Sequence, residues 1–288
     1  MAVPMSADPA QTRSRIGSVV LFSVLMPGVG HWMAGRRGQA LLVFAVCQAL
    51  LFGGFLLAGA TQKDYGTPFS LGGTTLFFLV APELGNFLGT QAAALLLRSV
   101  EVGGVFPDAL PWRHFGHVCS GASGVLALFC AAHAAGCVLS DARVRPFAAR
   151  AHPGNAALAT LLLPGLGHWL QGRRFKAALF GGAIGALFLV GMALGDFADF
   201  NRQRHPYYWI GQMLLGAPGW LAGLISPHLR FERVLGYQDA GLLFTTSAGF
   251  FNVIAALDAF HRAEADGAQA DAEARAQAGG RPAGEAAA

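Results

Sequence analysis

The sequence predicts an all-α, polytopic transmembrane protein of about eight helices, arranged as two tandem four-helix repeats. Low charge, long apolar segments and an internal duplication lead to this prediction. Only 12% of the residues are charged and 54% are hydrophobic, whereas about 25% of the residues of a soluble globular domain are charged. The net charge of +4 is spread along the chain. No basic patch indicates nucleic acid, so we expect no nucleic-acid partner.

The duplication is a motif that occurs at 25–42 and again at 162–179. The two copies are identical at 11 of 18 positions. Both begin Leu-x-Pro-Gly-x-Gly-His-Trp-x-x-Gly-Arg-Arg. Such dense self-similarity indicates duplication of a whole structural unit. An even number of helices per repeat would give both halves the same orientation and leave both termini on one side of the membrane.

The apolar segments are each close to the roughly 20 residues that cross about 30 Å of hydrocarbon. Pro27 and Pro164 interrupt the first and the fifth segment, which are therefore either full spans with a kink or re-entrant segments. The eight segments are 16–34, 38–60, 71–97, 115–139, 154–172, 176–195, 207–227 and 240–260.

The ends and the middle of the chain are polar. The tail is mostly Ala, Gly, Glu and Asp, which cannot bury enough apolar surface to fold. The first apolar run follows basic residues, as in a signal peptide, but it recurs inside the chain, so we expect it to be retained. The predicted divisions are a disordered N-terminus at 1–15, a first repeat at 16–140, a linker at 141–153, a second repeat at 154–262 and a disordered tail at 263–288.

The membrane side of the termini stays open, because eight full spans distribute Lys and Arg evenly. The positive-inside rule needs an excess on one face, and each face receives nine. One face has Arg13, Arg15, Lys63, Arg143, Arg145, Arg150, Arg202, Arg204 and Arg262. The other has Arg36, Arg37, Arg98, Arg113, Arg173, Arg174, Lys176, Arg230 and Arg233.

The motif predicts a broken helix, an aromatic anchor at the membrane interface and a tight turn that carries arginines. Gly35 and Gly172 are suited to a helix C-terminus. The motif is then either a structural hairpin or a site for an anionic headgroup or solute. Catalysis by the histidines is a third possibility, although neither copy contains a neighbouring Ser, Cys or carboxylate. The candidate ligand-binding residues are His31, Arg36, Arg37, His168, Arg173 and Arg174.

Four polar residues fall within apolar segments: Glu83, Asn86, Asn252 and Asp258. Ionisable groups there are costly and are functional by default. Glu83 is either functional or paired with Asn86, and we expect Asn252 to form an interhelical hydrogen bond. Asp258 and His133 occupy equivalent places in the two repeats, and we expect both to be interfacial. The four cysteines lie in apolar segments without ligand spacing, so we expect no disulfide, metal or cofactor.

At Pro27-Gly-x-Gly-His31-Trp-x-x-Gly35-Arg36 and its copy at 164–173, the sequence resembles a group of uncharacterised bacterial membrane proteins with Pro-Gly-Leu-Gly-His-x-x-x-Gly-Arg hairpins. The stretch 241–259 resembles the closing helix of the same group. More distantly, the motif is similar to the two-transmembrane-helix domain family, although it carries His-Trp where that family has Phe-Tyr. The resemblance implies a membrane protein of the bacterial inner membrane and implies no activity.

The sequence therefore favours a non-enzymatic integral membrane protein with a structural, assembly or lipid-interacting role. Its expected partner is the lipid bilayer, including anionic lipids, and protein partners stay open. The alternative is a small transporter with a binding site between the two repeats, because proline-broken helices at matching positions are typical of transporters.

Overall fold

The computed structural model describes residues 9–58, 68–71, 74–77, 82–101, 112–143, 146–202, 204–226 and 236–279. These residues form eleven α-helices, one 3₁₀ helix and one antiparallel β-hairpin. The first half contains α1 (Pro9–Leu25), α2 (Val29–Met33), α3 (Arg37–Ala58), β1 (Pro68–Leu71), β2 (Thr74–Phe77), the 3₁₀ helix (Pro82–Asn86), α4 (Phe87–Glu101) and α5 (Arg113–Asp141). The second contains α6 (Pro153–Leu162), α7 (Leu166–Leu170), α8 (Arg174–Leu194), α9 (Pro206–Leu214), α10 (Ala217–Ile225) and α11 (Gln238–Gly279). In the hairpin, Pro68 pairs with Phe77 and Leu71 with Thr74.

Among the described residues, four helices are long and apolar enough to cross a membrane: α3, α5, α8 and residues 238–277 of α11. The other segments predicted as spans are interrupted. Segments 16–34 and 154–172 break at the motif prolines. Segment 207–227 divides into α9 and α10 at Gly216, whose φ is +79°, and Pro218 follows in the first turn of α10. Proline removes a backbone hydrogen-bond donor and disturbs the helical turn before it. This explains why a proline lies at or next to each of these three breaks.

The prediction of one helix over 71–97 is wrong. Strand β2 extends to Phe77, the 3₁₀ helix begins at Pro82, and α4 begins only at Phe87. The Thr-Thr-Leu-Phe run at 74–77 is rich in β-branched and aromatic residues, which favour strands. Proline is disfavoured inside a helix. Residues 72–73 and 78–81 of this segment lie outside the described residues.

The structure also differs from the expected disorder of the two ends, since α1 begins at Pro9 and α11 continues to Gly279. The sequence at 263–279 is rich in Ala, Glu and Gln, which are strong helix formers. Extending an existing helix avoids the unfavourable nucleation step. Arg143 also holds the extension, through a 2.6 Å hydrogen bond to the Gly267 carbonyl and a 3.0 Å ion pair with Asp271. Residues 1–8 and 280–288 lie outside the described residues.

Two long helices organise the packing. Helix α5 contacts α1, α3, α6 and the 3₁₀ helix, and α11 contacts α6, α8 and α9. The main core joins Val125 and Phe129 of α5 to Leu161 of α6 and Met213 of α9. In the apolar 18-residue stretch of α5, 72% of the residues are buried inside the protein, against 28% in that of α3 and 22% in that of α8. Helix α5 is therefore central, whereas α3 and α8 direct most of their apolar surface outward.

Candidate functional site

The two motif copies adopt the same backbone. In each copy the preceding helix ends two residues before the proline, and a glycine follows the proline directly. These glycines have φ of +87° at Gly28 and +82° at Gly165. This left-handed region is accessible to glycine at little cost and is unfavourable for other residues. The glycine redirects the chain into a five-residue helix, α2 or α7.

A second glycine, Gly35 or Gly172, lies two residues after the last residue of each short helix, and φ is +77° at both. The Arg36 backbone N–H donates to the His31 carbonyl at 2.8 Å, and the Gly35 N–H donates to the Trp32 carbonyl at 2.9 Å. The same two bonds link the equivalent residues of the second copy, each at 2.9 Å. This pair of bonds is a Schellman motif. The predicted role of both glycines at a helix C-terminus is confirmed.

The short helix α2 folds back against α1. A side chain at Gly30 would collide with the Val19 carbonyl oxygen, 2.8 Å from where its Cβ would lie. Arg15 Nη2 donates to the Met33 carbonyl at 3.2 Å, although 18 residues separate them. The end of α2 therefore lies beside the first half of α1. In the second copy, the equivalent glycine makes the same close contact with the backbone of α6. In both copies the chain therefore reverses direction at the motif.

Each motif histidine is buried against a polar residue of a long helix. His31 Nε2 lies 2.8 Å from Nδ1 of His133 on α5. His168 Nε2 lies 3.2 Å from Oδ2 of Asp258 on α11, a contact between charge-bearing atoms that lacks hydrogen-bond alignment. Lys176 Nζ also contacts Asp258 Oδ2, at 2.9 Å. The two residues that the sequence predicted to be equivalent thus share one structural position, next to the motif histidine.

His152 extends the first of these contacts into a column of three histidines. Its ring centroid lies 5.2 Å from that of His133. Burial is the main cause that lowers the pKa of His152 to about 4, and electrostatic repulsion from His133 and Arg36 lowers it further, so its imidazole is neutral at neutral pH. The part of the chain that the structure describes contains no group of three or more His, Cys, Asp or Glu side chains arranged to hold a metal ion.

The first arginine of each motif forms an ion pair with an aspartate of a long helix. Arg36 Nη2 lies 2.6 Å from Asp141 Oδ1. Arg173 Nη2 lies 2.6 and 2.8 Å from the two carboxylate oxygens of Asp266. These side chains are partly exposed, and exposed pairs contribute at most about 1 kcal/mol. We interpret both pairs as orienting the turn rather than as a major source of stability.

The partners on the long helices share one spacing. Asp141 follows His133 by eight residues, and Asp266 follows Asp258 by eight. Eight residues are slightly more than two helical turns, so each pair projects from the same side of its helix. On both α5 and α11, the earlier residue meets the motif histidine and the later one meets the first motif arginine.

The second arginine of each motif lies over the motif tryptophan. The Arg37 guanidinium carbon is 5.5 Å from the Trp32 ring centroid, and that of Arg174 is 5.8 Å from the Trp169 centroid. Both tryptophans are more than half exposed, at 54% and 56%. Among the described residues, no acidic side chain forms an ion pair with either arginine. The two cations are therefore held at the surface, each stacked on an aromatic ring.

The buried carboxylate predicted at Glu83 has a partner from the other half of the chain. Arg202, between α8 and α9, contacts Glu83 with two nitrogens, at 2.6 and 3.2 Å. Side-chain exposures are 0% for Glu83 and 3% for Arg202. Gly124 of α5 permits this arrangement, because its missing side chain leaves room for the Glu83 backbone. The carboxylate thus has a matched counter-charge, which the sequence did not predict.

Asn86 is not the partner of the Glu83 side chain. Its side chain bonds instead with Gln48 of α3, at 3.0 and 3.4 Å, and with the Ser123 hydroxyl of α5, at 3.2 Å. Asn252 of α11 makes the expected interhelical hydrogen bond. Its amide donates to the carbonyls of Leu214 and Leu215, both at 3.1 Å.

Asp199 is a buried carboxyl that the sequence did not single out. It lies between α8 and α9, is fully buried, and neither of its carboxyl oxygens has a hydrogen-bond partner. Its backbone carbonyl accepts from Gln212 Nε2 at 3.3 Å. Burial raises the pKa of Asp199 to about 7, since an unpaired charge is costly in an apolar environment.

The structure thus adds four residues that sequence reasoning did not connect with the motif: Asp141 and Asp266 pair with Arg36 and Arg173, Lys176 contacts Asp258, and His152 lies beside His133. Each motif turn offers a buried imidazole, an arginine held by aspartate and an exposed arginine on an indole ring. The described motif turns present cations and aromatic surface, and His133, which contacts His31, lies 3.8 Å from the Cys137 sulfur. Cations and aromatic rings held together at a surface are suited to binding an anion.

Residues 155–270 match a protein family described as Family of unknown function (DUF6677). The match begins within α6 and ends within α11, so it includes the second motif together with Asp258 and Asp266. It does not extend to the first motif. No curated protein and no solved structure matches the chain.

Proposed function

We propose that this chain is a multi-pass integral membrane protein that binds anionic lipid at its two motif turns. Helices α3, α5, α8 and α11 would span the bilayer, and the two motif segments would enter and leave it at one face. The exposed pairs of Arg37 with Trp32 and Arg174 with Trp169 carry the lipid proposal. Tryptophan is enriched at the membrane interface, and arginine binds phosphate through charge and a planar fork of donors.

The contacts of the motifs support a tandem arrangement of two similar units. In both units the re-entrant turn leads into an outward-facing span, α3 or α8, and a long helix returns to the turn. In each unit a residue of the long helix contacts the motif histidine: His133 contacts His31, and Asp258 contacts His168. His152, at the start of the second unit, lies beside His133, with ring centroids 5.2 Å apart. Both turns and both termini would then face one side of the membrane.

This arrangement supports the cytoplasmic side for the motif turns. If only four helices cross, the eighteen Lys and Arg residues counted in the sequence analysis divide into eleven on the motif face and seven on the other. The positive-inside rule assigns the face with the excess, the motif face, to the cytoplasm. The cytoplasmic leaflet carries anionic lipid and attracts basic segments. The eleven are Arg13, Arg15, Arg36, Arg37, Arg143, Arg145, Arg150, Arg173, Arg174, Lys176 and Arg262. The seven are Lys63, Arg98, Arg113, Arg202, Arg204, Arg230 and Arg233.

Changing both Arg37 and Arg174 to Ala should reduce the retention of phosphatidylglycerol by the detergent-purified protein. One Arg near an anionic surface contributes about 1 kcal/mol, so we expect each site to weaken at least about fivefold. Native mass spectrometry, with phosphatidylcholine as competitor, measures the retained lipid. The variant with Lys at both positions should retain more lipid than the Ala variant.

The matched control removes the same charge elsewhere, by changing Arg13 and Arg150, both exposed, to Ala. We expect this control to retain phosphatidylglycerol as the wild type does. Equal losses in the control and in the motif variant would show that net charge alone attracts the lipid. Unchanged retention in the motif variant would refute the motif sites.

A further inference from the structure

An apolar groove of about 470 Å³ opens beside the second motif. One wall is the motif itself, from Leu163 to Leu166 and Trp169. The opposite wall is α8, at Ala178, Gly182 and Gly185, and the lining continues along α8 to Phe188 and Leu189. A Cβ on Gly182 or Gly185 would meet no atom within 4 Å. The groove is therefore open space along the outward face of a membrane-span candidate.

Small residues on α8 create this groove. At the equivalent positions of the first copy the side chains are larger, with Leu41 for Ala178, Phe44 for Gly181 and Gln48 for Gly185. Phe44 Cβ approaches within 3.2 Å of where a Cβ on Gly28 would lie, so this side chain packs directly beside the first motif. The two motif turns are alike, whereas the small residues that open the groove belong to the second alone.

The mouth of the groove carries a cation. Arg174 stacks on Trp169, and Trp169 lines the groove. An occupant that satisfies both features has an anionic end and a narrow apolar chain. A second copy of the chain fits less well. Gly181 and Gly185 have the spacing of small residues at which membrane helices pair. The surface at Gly181 is, however, already covered by the Pro164 carbonyl oxygen, which lies 2.9 Å from where a Cβ would lie.

We propose that this groove holds one acyl chain of an anionic phospholipid whose phosphate contacts Arg174. The proposal rests on the lipid binding proposed above and assigns the tighter of the two lipid sites to the second motif. The first motif would bind a headgroup without a dedicated chain.

Changing Gly182 to Leu tests the groove without touching the cations. The added side chain enters open space, so we expect normal folding and at least a tenfold weaker retention of one dioleoyl phosphatidylglycerol. The matched control is Gly53→Leu on α3, where a Cβ likewise meets nothing within 4 Å, and it should retain lipid normally. Dihexanoyl phosphatidylglycerol, which lacks long chains, should bind the wild-type protein and the Gly182→Leu variant equally.

The outcomes separate the two proposals. Loss of lipid on Gly182→Leu with unchanged binding of the short-chain lipid supports the groove. If Arg174→Ala reduces retention and Gly182→Leu does not, the headgroup site stands and the acyl-chain site is refuted. If neither variant changes retention, both proposals fail. If Gly182→Leu changes the oligomeric state and leaves lipid in place, the groove is a protein interface and the proposal is overturned.

Discussion

Replacing Glu83 by Gln should lower the free energy of unfolding by about 3–5 kcal/mol, because it removes the carboxylate charge that two nitrogens of the buried Arg202 guanidinium contact. The pair is held by two contacts, at 2.6 and 3.2 Å, and neither side chain is more than 3% exposed. It joins the 3₁₀ helix of the first half to the segment between α8 and α9. Its loss should therefore weaken the connection between the two halves.

The measurement is the thermal midpoint of the detergent-solubilised protein at one fixed heating rate, where we expect a decrease of roughly 10 °C. Arg204→Gln is the control, since Arg204 lies on the same loop and is exposed; its midpoint should not change. Changing both Glu83 and Arg202 to Met should recover much of the loss, because no unpaired charge remains. A Glu83→Gln midpoint equal to that of the control would contradict the proposed role of the ion pair.

Replacing Gly28 or Gly165 by Ala should disrupt the motif turn. Each glycine has a positive φ, and this conformation costs an L-residue about 1–2 kcal/mol. A Cβ there would also collide with a backbone carbonyl of the following helix, Ala40 in the first copy and Ala177 in the second. Overpacking typically adds a further 1–3 kcal/mol or so, roughly doubling the effect.

Other glycines of the motif separate the two causes. Gly35 has φ of +77° but open space around it, and Gly38 combines open space with ordinary helical backbone. Thermal midpoints should therefore fall most for Gly28→Ala, less for Gly35→Ala and hardly at all for Gly38→Ala. The same order is expected for Gly165 and Gly172. If Gly28→Ala and Gly35→Ala were equally tolerated, the turn geometry described above would be wrong.

The sequence predicted the elements that depend on local chemistry. The motif prolines and glycines determine their own breaks and caps, so the broken helices and the glycine C-termini follow from residue type. Helix α11 beyond residue 262 was missed for a related reason. The Ala-rich, charged composition that indicates disorder in isolation also has high helix propensity once a preceding helix provides the nucleus.

The partners of the motif depend on tertiary structure and could not be read locally. The interval between the two motif histidines is longer than the interval between His133 and Asp258, so one offset does not align both the motif and its partners. The equivalent places of His133 and Asp258 were predicted, but the two residues differ in type, so their sequence did not reveal that both contact the motif histidine. Arg202 lies 119 residues from Glu83, and no pattern in either segment links them. Even so, the eight-residue spacing of polar residues on both long helices was a signal within the sequence.

We propose that both motif turns lie at one membrane face, the cytoplasmic one. Gly38 and Phe175 occupy equivalent positions just after the paired arginines, and both are exposed. Single cysteines at these positions, with the four native cysteines changed to Ala, can be labelled by a membrane-impermeant maleimide in vesicles of either orientation. We expect both cysteines to react in inverted vesicles only. Labelling of the two from opposite faces, or of both only from the outer face, would contradict the account.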